Sequence, residues 1–172
     1  MKQHIVLVGL PGSGKTTVGQ LVAQRLQAGF VDIDAIITRR EGKPITLIFA
    51  EKGEAAFREM ERKEIEAALG NAAAVIAPGG GWAAQSGAIA NAKTQAFVIY
   101  LRTRPETAAQ RAAPEGTRPM FIGEDPVTRM RQLHKEREPF YGGAHAAIDT
   151  DRKTPQQVAN EVVRLAQSSA GW

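Results

Sequence analysis

Gly9-Leu10-Pro11-Gly12-Ser13-Gly14-Lys15-Thr16 is the stretch that decides the fold. It fills the pattern G-x-x-x-x-G-K-[S/T], and its surroundings are the ones that pattern requires. Ile5-Val6-Leu7-Val8 before it is a short unbroken apolar run, as expected of a strand buried on both faces of a parallel sheet. After it, Val18, Leu21, Val22 and Leu26 recur at helical spacing over residues 16–26. Strand, glycine loop and helix therefore follow in order. The glycines let backbone N–H groups turn inward around phosphate oxygens, and the positive end of the helix dipole points to the same place. Lys15 is positioned to reach the β- and γ-phosphates of a nucleoside triphosphate, and Thr16 to offer its hydroxyl to Mg²⁺. The loop by itself says nothing of what receives the phosphate.

Outward from the loop, strands and helices keep alternating. Phe30 to Asp32 reads as a second strand. Residues 34–40 and 46–51 read as helices broken near Gly42-Lys43-Pro44, and residues 54–69 as a long helix free of glycine and proline. Residues 73–77 and 96–101 are expected strands. Residues 105–113 and 127–137 are expected helices, with 114–125 read as a mobile loop between them. Ala146-Ala147-Ile148 is a weak fifth strand. Thr154-Pro155-Gln156-Gln157 opens the last helix with a threonine cap, proline at the first position and glutamine at the third. Residues 168–172 read as a loose tail. The pattern is that of an α/β protein with a parallel sheet covered on both faces and right-handed crossovers. No repeat, low-complexity stretch or linker divides the 172 residues, so a single domain is expected.

Composition narrows the chemistry. There are no cysteines, which excludes disulfides, thiolate metal sites and cysteine nucleophiles. The three histidines, His4, His134 and His145, lack metal-ligand spacing and read as structural or surface residues. A net charge of +4 comes from scattered arginines and lysines, without a run that would mark a nucleic-acid partner. No apolar stretch approaches the ~18 residues of a membrane span. The opening residues run straight into a strand, so a cytoplasmic protein is expected.

Four further groups of residues carry chemistry. Asp32 and Asp34 stand two residues apart at the end of the second strand, where ligands bind in open α/β sheets. One carboxylate can hold hydrated Mg²⁺, and the other can orient or deprotonate a hydroxyl. The plainer alternative is a turn aspartate followed by a helix cap at Asp34. Glu54, Phe57, Arg58 and Glu61 share one helix face; from periodicity alone the simpler reading is surface ion pairing, while the functional one is a guanidinium fork for a substrate carboxylate. Gly79-Gly80-Gly81 implies a backbone that approaches something closely or takes positive φ. Arg118, in the loop at 114–125, is placed to stabilise transferring charge, and Arg137 to meet a second anion; either also reads as a solvated residue.

In order and spacing, the phosphate loop, Phe30-Val31-Asp32-Ile33-Asp34, Phe57-Arg58-Glu59-Met60-Glu61, the triple glycine, Arg118-Pro119, Arg137-Glu138-Pro139-Phe140-Tyr141 and Ile148-Asp149-Thr150 resemble the shikimate kinase family. The resemblance implies a three-layer α/β/α P-loop kinase fold with a five-stranded parallel sheet, a substrate-binding region at about 34–61 and a lid at about 113–125. It implies that Gly12, Ser13, Gly14, Lys15, Thr16 and Thr17 bind the ATP phosphates. Thr16 and Asp32 would hold Mg²⁺, and Arg111, Lys153 and Pro155 would surround the adenine. Lys15, Asp34 and Arg118 would be catalytic. Asp34, Arg58, Gly79, Gly80, Gly81 and Arg137 would bind shikimate, with Phe49, Phe57 and Pro119 walling the pocket. The partners so implied are ATP and a small hydroxylated carboxylic acid, with neither nucleic acid nor membrane, and a monomer is expected. Other readings are a kinase of another hydroxy acid, such as gluconate, and a nucleotide-binding regulator without catalysis. The sequence departs from the family at Pro78 and at Trp82, where a small residue is usual; an indole beside the substrate loop is able to reshape the pocket.

Overall fold

The computed structural model describes residues 1–112 and 125–172. β1 (His4–Val8) is buried at every residue because it lies in the middle of the sheet. It pairs in parallel with β3 (Ala74–Ala77) on one side and β4 (Ala96–Arg102) on the other. β2 (Gly29–Asp32) extends the sheet beyond β3, and β5 (Ala146–Asp149) extends it beyond β4. The order is β2-β3-β1-β4-β5, with every pair parallel.

Strand residues alternate between two cores, as the two-residue period of a strand demands. Ile5, Leu7, Val75, Ile99 and Leu101 face α1 (Lys15–Leu26) and α7 (Pro155–Ser169), where Val18, Val22, Val158 and Val162 meet them. Val6, Val8, Ile76, Val98 and Tyr100 face the opposite layer. That layer holds α2 (Ile33–Glu41), α3 (Ile45–Leu69), α4 (Ala88–Ala92), α5 (Pro105–Ala112) and α6 (Pro126–Tyr141). The expected three-layer α/β/α arrangement is thus present. None of the described helices is long and apolar enough to cross a membrane.

Several local signals read in the sequence act as expected. Gly53, at φ 85°, breaks α3 into the two helical pieces anticipated on either side of it. In α7, Thr154 and Gln157 form a reciprocal cap, the Gln157 N–H donating to Thr154 Oγ1 at 3.2 Å and the Thr154 N–H to Gln157 Oε1 at 2.8 Å. His4 is structural: its ring bridges the Leu69 carbonyl and the Ala74 N–H.

Three expectations are corrected. α4 is a helix of five residues, largely alanine, and too short for its periodicity to register. α6 does not stop at Arg137; it runs on through Pro139 to Tyr141, which is fully buried and packs on Tyr100 at 4.8 Å between ring centroids. Tertiary packing there outweighs the lost backbone hydrogen bond of a helical proline. The tail is not loose either. Ala170 is buried, its carbonyl accepts from the Gln3 N–H at 2.9 Å, and Trp172 Nε1 donates to the Gln3 carbonyl at 2.8 Å. The Lys2 ammonium lies 4.7 Å from the indole centroid. The two ends of the chain are therefore clasped. Removing residues 170–172 is expected to lower the unfolding free energy by about 2 kcal/mol, the scale of one large buried side chain, measured by urea denaturation; an unchanged midpoint would show that the clasp contributes nothing.

Candidate active site

The carboxyl ends of β1, β2 and β3 deliver the functional groups to one edge of the sheet. The first is the phosphate loop between β1 and α1. Gly12 turns there at φ 80°, and a Cβ on it would collide with the Ala108 carbonyl of α5. Gly14 follows at φ 95° as the N-cap residue of α1, so the loop feeds directly into the helix terminus. Lys15 Nζ donates to the carbonyls of Gly9 at 2.8 Å and Leu10 at 2.9 Å, which holds the ammonium over the loop. Thr16 Oγ1 donates to Asp32 Oδ2 at 3.2 Å.

Residues 12–16 and Asp32 line a cavity of about 380 Å³ together with Thr17, Asp34, Gly80, Arg111, Lys153 and Pro155. Arg111 is braced by two hydrogen bonds of 3.2 Å to Thr150, one to its hydroxyl and one to its carbonyl. Every residue assigned to the nucleotide by the sequence reading lines this cavity. Mg²⁺ suits hard oxygen donors and keeps several waters. The Thr16 hydroxyl and Asp32 carboxylate, bonded to each other beside the phosphate loop, provide such a donor pair.

Asp32 also caps α2, its Oδ1 accepting from the Ala35 N–H at 3.2 Å. The capping role in the plainer alternative thus falls to Asp32, not Asp34. Asp34, in the first turn of α2, faces a second cavity of about 350 Å³. Arg58, Glu61, Gly79, Gly80, Gly81 and Arg137 line it, and Phe49 and Phe57 form an apolar wall with ring centroids 4.9 Å apart. Thr16, Asp32, Asp34 and Gly80 border both cavities. A phosphate in the first and a hydroxyl in the second would therefore meet at this shared wall.

The triple glycine is explained by close approach, and none of its residues has positive φ. A Cβ on Gly79 would strike Glu61 Oε2 and come within 2.8 Å of Asp34 Oδ1. One on Gly80 would lie 2.9 Å from Arg137 Nη1, and one on Gly81 would overlap the Arg58 guanidinium. Each glycine makes room for a different charged group of the second cavity.

Arg58 is not a surface ion pair. Its side chain is 16% exposed, and it donates from Nη1 to Glu61 Oε1 at 3.0 Å and from Nη2 to Glu54 Oε1 at 3.3 Å. Glu54 is open to solvent, whereas Glu61 is buried. Burial pushes the Glu61 carboxyl up to about 7, against the pull of Arg58 and with the help of Asp34. Arg137 is buried.

Two residues here escaped the sequence reading as site residues. Glu61 was seen only as a flank of Arg58. Tyr141 donates from its hydroxyl to the Gly80 carbonyl at 3.0 Å, one helical turn beyond Arg137, and so ties the glycine strip to α6. The spacing of Arg137 and Tyr141, four residues apart, was the available signal, but it counts only if the helix continues past Pro139. Trp82 is corrected in the other direction. Its indole is buried in the core and borders a groove beside α3 and α4; it is absent from the wall of the second cavity. Pro78 lines the phosphate side. Arg118, Pro119 and almost all of the expected lid at about 113–125 lie outside the described residues.

Known proteins match this arrangement along nearly the whole chain. The family model "Shikimate kinase" matches residues 11–167. A shikimate kinase of Symbiobacterium thermophilum is 41% identical over 167 residues, covering 95% of this chain and 96% of that protein. One from Sulfurihydrogenibium sp. is 38% identical over 161 residues, covering 94% and 96%. The solved structure of shikimate kinase from Acinetobacter baumannii in complex with shikimate superposes with a TM-score of 0.92 at 35% identity, covering 98% of this chain and 94% of that one. With its phosphate loop beside a pocket lined by Arg58 and Arg137, and with these relatives matching over nearly the full length, the chain belongs to the shikimate kinase family.

Proposed function

We propose that this protein transfers the γ-phosphoryl group of ATP to the 3-hydroxyl of shikimate, giving ADP and shikimate 3-phosphate, a step of aromatic amino-acid (chorismate) biosynthesis. The observation that carries the reading is the wall shared by the two cavities, where Asp34 and Gly80 stand between the phosphate loop and the Arg58–Arg137 pair. An acceptor whose carboxylate is held by two guanidinium groups at one end presents its hydroxyls to Asp34 at the other.

Phosphoryl transfer asks for positioning and charge neutralisation more than for covalent chemistry. Lys15 and the α1 N-terminus take the negative charge of the phosphates. Asp34 orients the acceptor hydroxyl toward the phosphorus and accepts its proton as the new P–O bond forms. Arg58 and Arg137 clamp the carboxylate, and the Phe49–Phe57 wall takes the apolar ring face. Thr16 and Asp32 would hold Mg²⁺, which would supply positive charge against the negative charge of the transferring phosphate. Arg118 would close over the transferring group. The protein is taken to work as a cytoplasmic monomer.

Two variants test the reading. Arg58→Ala is expected to raise the KM for shikimate at least about 30-fold, the scale of losing one partner of a buried charge pair, with ATP affinity unchanged. Turnover measured as ADP release on a panel of hydroxylated acids identifies the acceptor. Strong turnover on gluconate with none on shikimate sinks the assignment, and no turnover on any acid favours a non-catalytic nucleotide binder. Asp34→Asn is expected to retain shikimate binding while kcat falls by about 10²–10⁴, the usual range for loss of a general base; an unimpaired kcat removes Asp34 from that role.

A further inference from the structure

Glu61 holds a position that the transfer chemistry does not account for. Among the described residues it is the only carboxylate with no exposed surface. Its Oε1 accepts from Arg58, while its buried Oε2 accepts no hydrogen bond from the described residues. The groups that face it are few. On α3 it meets Arg58, whose far side is held by the exposed Glu54. From α2 comes Asp34, from α6 come Arg137 and the neighbouring Tyr141, and the Gly79 backbone lies against both Glu61 Oε2 and Asp34 Oδ1.

Around this spot two cations, Arg58 and Arg137, already face two inward anions, Glu61 and Asp34, with the exposed Glu54 on the far side of Arg58. A carboxylate-bearing acceptor adds a third anion, and its natural place is the guanidinium fork that Glu61 now shares. Burying an anion without a full partner is costly, and a carboxyl group in that position relieves the cost by taking a proton. Asp34 has to stay ionised to receive the hydroxyl proton, and the acceptor carboxylate lies between two arginines. Glu61 is left as the group that gains the proton. Once protonated, its Oε2 turns from an acceptor without a donor into a donor beside the Asp34 carboxylate.

Building on the proposed acceptor, we propose that Glu61 is a proton-linked positioning residue, which takes up a proton when the acceptor carboxylate binds and thereby releases Arg58 to clamp it. Burial already pushes the carboxyl up to about 7 in the free protein. Acceptor binding moves it higher. The sign follows: at a pH well below 7 Glu61 is already protonated and binding takes up nothing, whereas above 7 each binding event takes up a proton. Affinity for shikimate therefore falls as pH rises beyond 7, by up to about tenfold per pH unit.

Isothermal titration calorimetry of shikimate into the full chain tests this, using buffers of low and high ionisation enthalpy. At about pH 8 the observed enthalpy is expected to depend on the buffer with a slope near ~1 proton taken up, and at about pH 5.5 with a slope near zero. Glu61→Gln, which mimics the protonated form, is expected to bind shikimate with no buffer dependence and an affinity that stays level across that range. Equal enthalpies in the two buffers at the higher pH for the unaltered protein overturn the proposal, and so does a Gln variant that keeps the slope or loses binding at every pH. Should the variant fail to fold, the buffer comparison on the unaltered protein still decides. A protein that neither binds nor phosphorylates shikimate fails the functional reading itself, whereas one that phosphorylates shikimate without proton uptake fails only the linkage.

Discussion

The strip Gly79-Gly80-Gly81 runs through space that three side chains would otherwise fill, and the acceptor site exists because those side chains are missing. Asp34 and Glu61 reach Gly79, Arg137 reaches Gly80 and Arg58 reaches Gly81. These four charged groups come from α2, α3 and α6, and a single backbone strip without side chains lets them converge. Tyr141 ties the strip from behind by its bond to the Gly80 carbonyl. A single Cβ at any of the three positions would displace a charged group from its place, and in a buried pocket such a group is not free to find water instead.

The parallel sheet explains why the strip lies beside the phosphate loop. Strand order β2-β3-β1-β4-β5 places β3 between β1 and β2. The carboxyl ends of these three strands therefore release, side by side, Asp32 with the start of α2, the glycine strip and the phosphate loop. Ligands bind in such crevices because the loops there diverge to opposite faces of the sheet. The helix dipole of α1 then adds its positive end to the place where phosphates gather. Strand order thus sets the donor and acceptor sites against a shared wall.

Charge balance gives the site its second character. Arg58 is held on one side by a buried glutamate and on the other by an exposed one, so its guanidinium is oriented before any acceptor arrives. Pre-orientation reduces the ordering cost of binding. The buried partner is also the group least able to keep its charge when another anion enters.

Much of this was legible in the residues. The phosphate loop, its flanking strand and helix, the alternation of elements, the α7 cap and the break at Gly53 are local matters, set by backbone sterics and hydrogen bonding within a few residues. Asp32, Asp34, Arg58, the glycines and Arg137 were also visible, as residue types in a particular order. Their convergence was not, because distances between remote segments depend on how the layers pack. Periodicity left Arg58 on the surface; the fold shields most of it from solvent. The plainer alternative put a helix cap at Asp34; the turn into α2 gives that cap to Asp32. Pro139 argued for the end of a helix that Tyr141 packing carries onward, and Trp82 argued for a reshaped pocket that its burial in the core avoids. The sequence by itself determined the chemistry available to this protein. Tertiary structure alone decided which charges lose contact with water, and burial is what turns an ordinary glutamate such as Glu61 into one that titrates near neutrality.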